Sequence, residues 1–232
     1  MTAITQGDRA AALIAATRAL DARALTIHET TSPAALVWQP PDGGWSVGQV
    51  FEHLCIASDD YLVTLRRLLA NPPARSHAAN RWKPSLAGRI LVRSFESSRR
   101  LPAPKMWRPA PAARPNVVQE FLARQHELVE LIERSMAFEW NRVRLASPVS
   151  SLVRMNVGDA FAILVTHAER HFRQIDRVRT AAIGAIGVRF ENHRSNASEG
   201  EASAGHSSES HSGSQSDRLA DRHPEASERM RG

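Results

Sequence analysis

The sequence of 232 residues contains one cysteine, Cys55, and only two lysines, Lys83 and Lys105. A single cysteine excludes an internal disulfide and is typical of proteins that work in a reducing cytoplasm. No run of 18 or more apolar residues occurs, so we expect no membrane-spanning helix. The first residues also lack the basic start and continuous apolar core of a secretory signal. These absences together predict a cytoplasmic location.

Because lysine is scarce, arginine supplies nearly all of the positive charge. The net charge is +6, and residues 191–232 contain five arginines against eight acidic residues, so the first 190 residues carry about +9. A basic surface of this kind admits nucleic-acid or acidic-ligand binding. No motif of interleaved aromatic and basic residues accompanies the charge. We therefore interpret the arginines mainly as solvated faces and rank nucleic-acid binding third among the functions considered.

Apolar residues recur with a helical period in four long segments, which predicts helices over residues 8–29, 46–69, 116–138 and 156–183. Ser46 and Gln49 fit a capping box at the start of the second helix. Asn116 and Gln119 form a candidate capping pair for the third helix.

The fourth predicted helix begins at Asn156, with Asp159 as an acidic residue of the first turn. Gly184 and Gly187 are expected to end it. Between the third and fourth helices, residues 139–155 read as a connection.

A long proline-rich segment, residues 72–115, separates the second and third helices and contains one short helical stretch at residues 85–97. Connections of this length often cover functional sites. Four amphipathic helices with one long crossover predict an all-α protein, a four-helix bundle over residues 1–190. Residues 191–232 are rich in serine, glycine and charge, so we expect a disordered tail. The tail histidines, His206, His211 and His223, are read as solvated.

Two histidines in the fourth helix, His167 and His171, are four residues apart and therefore lie on one helical face. Two imidazoles at this spacing can hold one metal ion. On the second helix, His53 lies beside the apolar stripe and needs a partner if it is buried. It is either a hydrogen-bonded core residue or a third metal ligand.

Three histidines with an open fourth position are typical of a catalytic metal centre. Zinc, nickel, iron or manganese could be accommodated by such a donor set, which does not choose among them. Gln174 lies on the same face as His171 and is the best candidate to orient a ligand or a bound water.

The acidic residues near these histidines along the chain do not qualify as ligands by helical geometry. Asp60 lies about 10 Å along the axis from His53, and Asp159 about 12 Å from His167. Glu52 and Glu169 are rotated away from the histidine faces.

Two further side chains are given no role in the chemistry. Cys55 lies nearly opposite His53, so we interpret it as a packed apolar residue and not as a nucleophile. His126 lacks a second ligand at helical spacing and is expected at the surface.

Two motifs carry a resemblance to a known family: Trp45-Ser46-Val47-Gly48-Gln49 followed by His53-Leu54, and His167-Ala-Glu-Arg-His171-Phe-Arg-Gln174-Ile175. A Trp-Ser helix start, a His-Leu pair seven or eight residues later and a late H-x3-H-x2-Q-I resemble the DinB/YfiT superfamily, over about residues 8–183. The resemblance implies a divalent-metal site on the three histidines. That superfamily includes thiol-dependent transferases and isomerases that use bacterial low-molecular-weight thiols, proteins classed as metal-dependent hydrolases, and many members without assigned activity.

The leading hypothesis is a metal-dependent enzyme, a thiol-dependent transferase or hydrolase that acts on a small molecule through a three-histidine metal centre. The alternative is a non-catalytic metal-binding stress-response protein. The expected partners are a small-molecule substrate, a low-molecular-weight thiol and a second copy of the chain in a homodimer. Neither nucleic acid nor a membrane is expected as a partner.

Overall fold

The structure, a computed structural model, describes residues 4–75, 81–97 and 102–204, with side chains described as far as residue 187. The chain divides into two units, residues 1–189 and residues 190–232. The described part is mostly helical and contains one small antiparallel sheet, which confirms the all-α prediction. No helix of this part is both long and apolar enough to cross a membrane.

Six α-helices and two strands follow in chain order within the described residues. They are α1 (Gln6–Thr30), α2 (Pro33–Val37), α3 (Val47–Ala70), α4 (Leu86–Glu96), α5 (Val117–Ser135), β1 (Arg144–Ser147), β2 (Ser150–Asn156) and α6 (Val157–Ala204). Single turns of 3-10 helix occur at Lys105–Trp107 and Trp140–Arg142.

Reciprocal side-chain caps explain where α1 and α3 begin. The Asp8 backbone N–H donates to the Thr5 hydroxyl at 3.0 Å, and the Thr5 N–H donates back to the Asp8 carboxylate at 3.3 Å. At α3 the Gln49 N–H donates to the Ser46 hydroxyl at 3.2 Å, and the Ser46 N–H donates to Gln49 Oε1 at 3.0 Å. Each box satisfies two amides that the helix itself leaves unpaired, so the predicted start of the second helix is confirmed.

The predicted cap of the third helix is wrong. Asn116 does occupy the N-cap position of α5, but its side chain makes no capping hydrogen bond there. Gln119 instead lies 2.9 Å from the ring of His28 on α1. The competing contact between two helices has replaced the local cap.

The four long helices α1, α3, α5 and α6 contribute buried side chains to both apolar clusters of the structure. Phe51, Phe121 and Phe172 bring α3, α5 and α6 together, with ring centroids 5.4–5.7 Å apart and almost no exposure. Burying each ring contributes about 1.5–3 kcal/mol. A regular four-helix bundle stays a prediction.

A β-hairpin replaces the connection that the sequence predicts at residues 139–155. Strands β1 and β2 pair antiparallel, from Arg144 opposite Asn156 to Ala146 opposite Arg154, with an irregular register after Ala146. Along β1 the odd residues Leu145 and Ser147 are buried and Arg144 is exposed, which is the two-residue period of a strand. Four residues are too few for this period to stand out in the sequence, and the seven residues of β2 do not alternate in burial.

The predicted short helix in the crossover is α4, which is attached to α6 at both of its ends. The Ser85 N–H donates to the Asp159 carboxylate at 3.1 Å, in front of the α4 N-terminus. At the other end, the Arg170 guanidinium donates to the carbonyls of Phe95 and Ser97. An anion at the N-terminus and a cation at the C-terminus both interact favourably with the helix dipole.

The predicted end of the fourth helix is also wrong, because α6 continues through Gly184 and Gly187 to Ala204. Gly43, with φ of 80°, is the one described glycine in the left-handed region, so neither helical glycine forms a C-terminal cap. A glycine inside a helix costs only about 1 kcal/mol, which a long helix tolerates. The first part of the expected tail, residues 191–204, is thus helical. Residues 205–232, with His206, His211 and His223, lie outside the described residues, and their disorder stays a prediction.

Two glycines of α6 provide a matched test of packing. A Cβ on Gly158 would overlap the rings of Trp82 and Trp140, whereas a Cβ on Gly184 would meet no atom within 4 Å. We expect Gly158→Ala to lower the free energy of unfolding by about 1–3 kcal/mol through overpacking. Gly184→Ala should leave it unchanged or raise it by up to about 1 kcal/mol. Urea unfolding of both variants measures the difference, and equal effects would contradict the described packing.

Candidate functional site

Three histidines from two helices converge at one place. α3 supplies His53, and α6 supplies His167 and His171, and one ring nitrogen of each lies within 4.8 Å of those of the other two. The Nε2 atoms of His53 and His167 are 3.2 Å apart. His53 is 1 % exposed and His167 is 8 % exposed, so both rings are withdrawn from bulk water.

Hydrogen bonds on the far side of two rings determine which nitrogen is free. His53 Nδ1 lies 2.7 Å from the carbonyl oxygen of Trp107. A carbonyl can only accept, so Nδ1 carries the hydrogen and Nε2 keeps a lone pair directed at the other histidines. His171 Nδ1 is likewise 2.9 Å from Gln174 Oε1. Metal-binding histidines usually have such a partner on the second nitrogen.

The spacing of the lone pairs fits a bound ion. Two nitrogen ligands of a tetrahedral ion, each about 2.05 Å from it, are about 3.3 Å apart. The separation of 3.2 Å between His53 Nε2 and His167 Nε2 is close to that value. Without an ion or a shared proton, two lone pairs at this distance would repel each other. The donor set therefore fits a divalent metal.

Burial keeps these histidines neutral. It lowers the pKa of His53, and it lowers the pKa of His167 well below its usual value, an effect to which His171 and His53 add by charge repulsion. Burial and then His53 lower the pKa of His171 to about 3. Only the neutral imidazole binds a metal, so the site is in its binding form at pH 7.

The three histidines open into a cavity of about 970 Å³, the histidine cavity, whose walls come from α3, α4, the crossover, the β-hairpin, α6 and the loop before α3. Aromatic rings border the histidines. The Trp45 ring centroid lies 4.9 Å from that of His53, and the Phe95 ring lies 5.0 Å from His167. Such a volume accommodates a small organic molecule.

A family model described as the DinB superfamily matches residues 14–175, a span that includes the three histidines and Gln174. The chain belongs to the DinB superfamily. No curated protein and no solved structure matches the chain. The family match confirms the resemblance that the Trp-Ser and H-x3-H-x2-Q-I motifs indicate.

In this DinB-superfamily chain, Trp107 and Asp60 support His53 in a way that the sequence does not reveal. The indole N–H of Trp107 donates to Asp60 Oδ2 at 2.7 Å, while the carbonyl of the same residue accepts from His53. Asp60 is thus no ligand, as its distance along the helix predicts, but it fixes the residue that orients one. In the sequence Trp107 is marked only as an aromatic residue in a proline-rich crossover, which does not indicate His53 as its partner.

The first turns of α3 attach the rest of the crossover. Gln49 Nε2 donates to the carbonyls of Ala110 and Pro111, both at 3.0 Å. Glu52 accepts from Arg114 Nε at 3.0 Å, which accounts for the burial of this carboxylate. One helix therefore carries a histidine of the site and two anchors of the segment that orients it.

Other side chains lie where the sequence predicts. Cys55 is fully buried, and burial raises the pKa of its thiol to about 12, which makes it a poor nucleophile. His126 is exposed. The Asp159 carboxylate accepts from the Asn156 N–H at 2.9 Å and caps α6.

The lowered histidine pKa values predict a pH-dependent stability of the metal-free protein. Between pH 6.5 and about 3 the unfolded chain binds more protons than the folded one, so the free energy of unfolding falls as the pH drops below about 6.5. Each group adds at most about 1.4 kcal/mol per pH unit. Urea unfolding in chelator at pH 7 and pH 5 measures the fall. His171→Gln should reduce the fall; a fall equal to that of the unsubstituted chain would refute the assignment.

The support of His53 predicts a selective effect on metal affinity. Asp60→Leu removes the acceptor of the Trp107 indole, so we expect the affinity for added zinc to drop about 10- to 100-fold. Asp60→Asn keeps an oxygen acceptor and should lose much less. Asp59→Leu is the matched control, because Asp59 pairs with Arg124 at 2.7 Å instead. Chelator-competition titrations measure the affinities, and equal losses at positions 59 and 60 would count against the arrangement.

Proposed function

We propose that His53, His167 and His171 hold one divalent ion and that the chain is a metal-dependent enzyme acting on a small molecule in the histidine cavity. The observation that carries this proposal is the orientation of the rings. Hydrogen bonds to the Trp107 carbonyl and to Gln174 leave lone pairs on Nε2 of His53 and of His171, beside His167, for an ion. Histidine nitrogens suit zinc, nickel, iron or manganese.

The surroundings favour a catalytic role over a structural one. Structural zinc sites have four protein ligands and are closed, whereas catalytic sites have three and keep one position for water or substrate. Within the described residues three such side chains come together, and they face a cavity that can admit a ligand. This supports an enzyme more than the non-catalytic stress-response alternative.

The chain's own residues would bind and orient, while the nucleophile comes from outside. Cys55 is buried with a raised pKa, and Glu52 and Asp60 are committed to Arg114 and Trp107. A bound ion would supply Lewis acidity that lowers the pKa of an incoming thiol or water.

The leading reaction is thiol transfer. The thiolate sulfur forms a bond to an electrophilic carbon, the leaving group departs with the electrons of the bond that breaks, and the thiol proton passes to solvent. Hydrolysis is the corresponding reaction with water as the nucleophile. The proposed partners are a small-molecule electrophile and a low-molecular-weight thiol, and a homodimer also stays a prediction.

Metal content is the first test of the proposal. We expect about one divalent ion per purified chain, and expect the double variant His167→Ala, His171→Ala to contain none, because one remaining histidine binds an ion weakly. The double variant His28→Ala, His126→Ala removes two exposed histidines and should keep the ion. Elemental analysis measures both. An unchanged ion content without His167 and His171 would refute the site.

Turnover then separates the enzyme from its alternative. The metal-loaded chain should accelerate the reaction of 2-mercaptoethanol with 1-chloro-2,4-dinitrobenzene, and the empty double variant should not. Tight, stoichiometric metal without turnover of thiols or esters would favour the non-catalytic stress-response protein.

A further inference from the structure

The histidine cavity extends along α6 well past the three histidines. Its lining includes Arg177, six residues after His171 and therefore about 9 Å further along the helix axis. The loop residues Gly43 and Gly44 also line the cavity, without side chains to fill it. The cavity thus has room for a part of a ligand that does not react.

The arginines of this stretch of α6 differ in what they bind. Arg173 donates to the Phe95 carbonyl at 3.1 Å, and Arg179 donates to the Thr31 hydroxyl at 2.8 Å. Arg170 is engaged with the end of α4. Arg177 makes no hydrogen bond or ion pair with any residue that the structure describes. Its guanidinium is therefore the one in this group left for a ligand.

Charge in the cavity favours an anion. Arg170 and Arg177 both line it. Among the described residues of the lining Asp42 is the one carboxylate, and it accepts from the Gly44 N–H at 3.2 Å. Two cations against one anion leave an excess of positive charge.

The wall near His167 is apolar. The ring centroid of Phe95 lies 5.0 Å from that of His167, and the Trp107 centroid lies 6.3 Å from it. Leu91, Val149 and Val153 also line the cavity. A ligand that fills the cavity therefore meets apolar side chains at the histidines and a cation beyond them.

We propose that the histidine cavity binds an amphipathic anion, with an apolar body against Phe95 and Trp107 and a carboxylate, phosphate or sulfonate on Arg177. The planar guanidinium suits these groups because it can donate two parallel hydrogen bonds. The inference rests on the proposed function in one respect, which is that the reacting atom of the ligand lies at the three histidines. The anionic group belongs to one of the two co-substrates, the thiol or the electrophile.

Binding of two fluorescent probes tests the anion site without turnover. 8-Anilinonaphthalene-1-sulfonate carries the anion, and N-phenyl-1-naphthylamine is its uncharged counterpart. The full chain should bind the sulfonate more tightly, and Arg177→Gln should weaken sulfonate binding roughly tenfold or more while leaving the neutral probe unchanged. Phe95→Ala should weaken both probes, because both bury rings on that wall.

Arg179→Gln is the matched control for the general positive field, since Arg179 is a neighbouring arginine of α6 that donates to Thr31 and lies outside the cavity lining. We expect it to change sulfonate binding less than twofold. Equal losses in the two arginine variants, no preference for the sulfonate over the neutral probe, or no effect of Arg177→Gln would each overturn the proposal.

Kinetics then identify the co-substrate that carries the anion. One series compares 3-mercaptopropionate with 2-mercaptoethanol against 1-chloro-2,4-dinitrobenzene. The other compares 4-chloro-3,5-dinitrobenzoate with 1-chloro-2,4-dinitrobenzene against 2-mercaptoethanol. The proposal is supported if the anionic compound of one series has a lower KM than its neutral counterpart and if Arg177→Gln removes this difference. That series identifies the co-substrate that carries the anion. If neither anionic compound has the lower KM, the proposal is overturned. If no pair turns over, the proposed enzyme fails, and probe binding alone decides the anion site.

Discussion

The hydrogen bond from His53 Nδ1 to the Trp107 carbonyl connects the two halves of the site. It sets the tautomer of a histidine on α3 and at the same time holds the crossover against that helix, at 2.7 Å. The Asp60 carboxylate fixes the indole of the same tryptophan at 2.7 Å, and Trp107 is 5 % exposed. Orientation of the donor nitrogen therefore depends on a segment without regular secondary structure for most of its length.

Helix α6 provides the rest of the arrangement. It carries two of the histidines, Gln174 behind one of them, and the charged residues that hold α4 at both ends. The rings of Phe51, Phe121 and Phe172 pack together in the core. Phe51 is two residues before His53 on α3, and Phe172 directly follows His171 on α6. Apolar packing holds the two helices at the spacing that the donor atoms require, and the polar contacts then select the rotamers.

Much of this site is readable from the sequence because helices impose a fixed geometry. The four-residue spacing of His167 and His171, the further three residues to Gln174 and the capping box of Ser46 and Gln49 all follow from 3.6 residues per turn. His53 could be recognised as a polar residue beside an apolar stripe, although its partner could not.

The features that were missed depend on contacts distant in sequence or on marginal local signals. A backbone carbonyl has no sequence signature, so the role of Trp107 toward His53 is invisible until the crossover is placed. Strand β1 has only four residues, and the seven residues of β2 do not alternate in burial, so neither strand has a clear sequence pattern. Gly184 and Gly187 would end a helix only with a left-handed backbone, which neither of them has. The capping pair predicted for Asn116 and Gln119 does not form, and the Gln119 side chain instead contacts His28 on α1.

One uninterrupted helix carries His167, His171, Gln174 and Arg177. The helix therefore fixes the distances between these side chains along the cavity and the direction of each. Inserting or deleting a single residue between positions 167 and 177 would turn every later side chain by about 100° and shift it by about 1.5 Å. Arg177 would then no longer line the cavity, and the side chain of Val178 or of another neighbour would point into it instead. The tip of the β-hairpin faces the same cavity from a turn of two residues, and changes of length there would reshape one wall without altering the angle of any donor. Changes of length at the hairpin can therefore alter which ligand the cavity accepts, whereas changes of length in α6 would destroy the arrangement of the histidines.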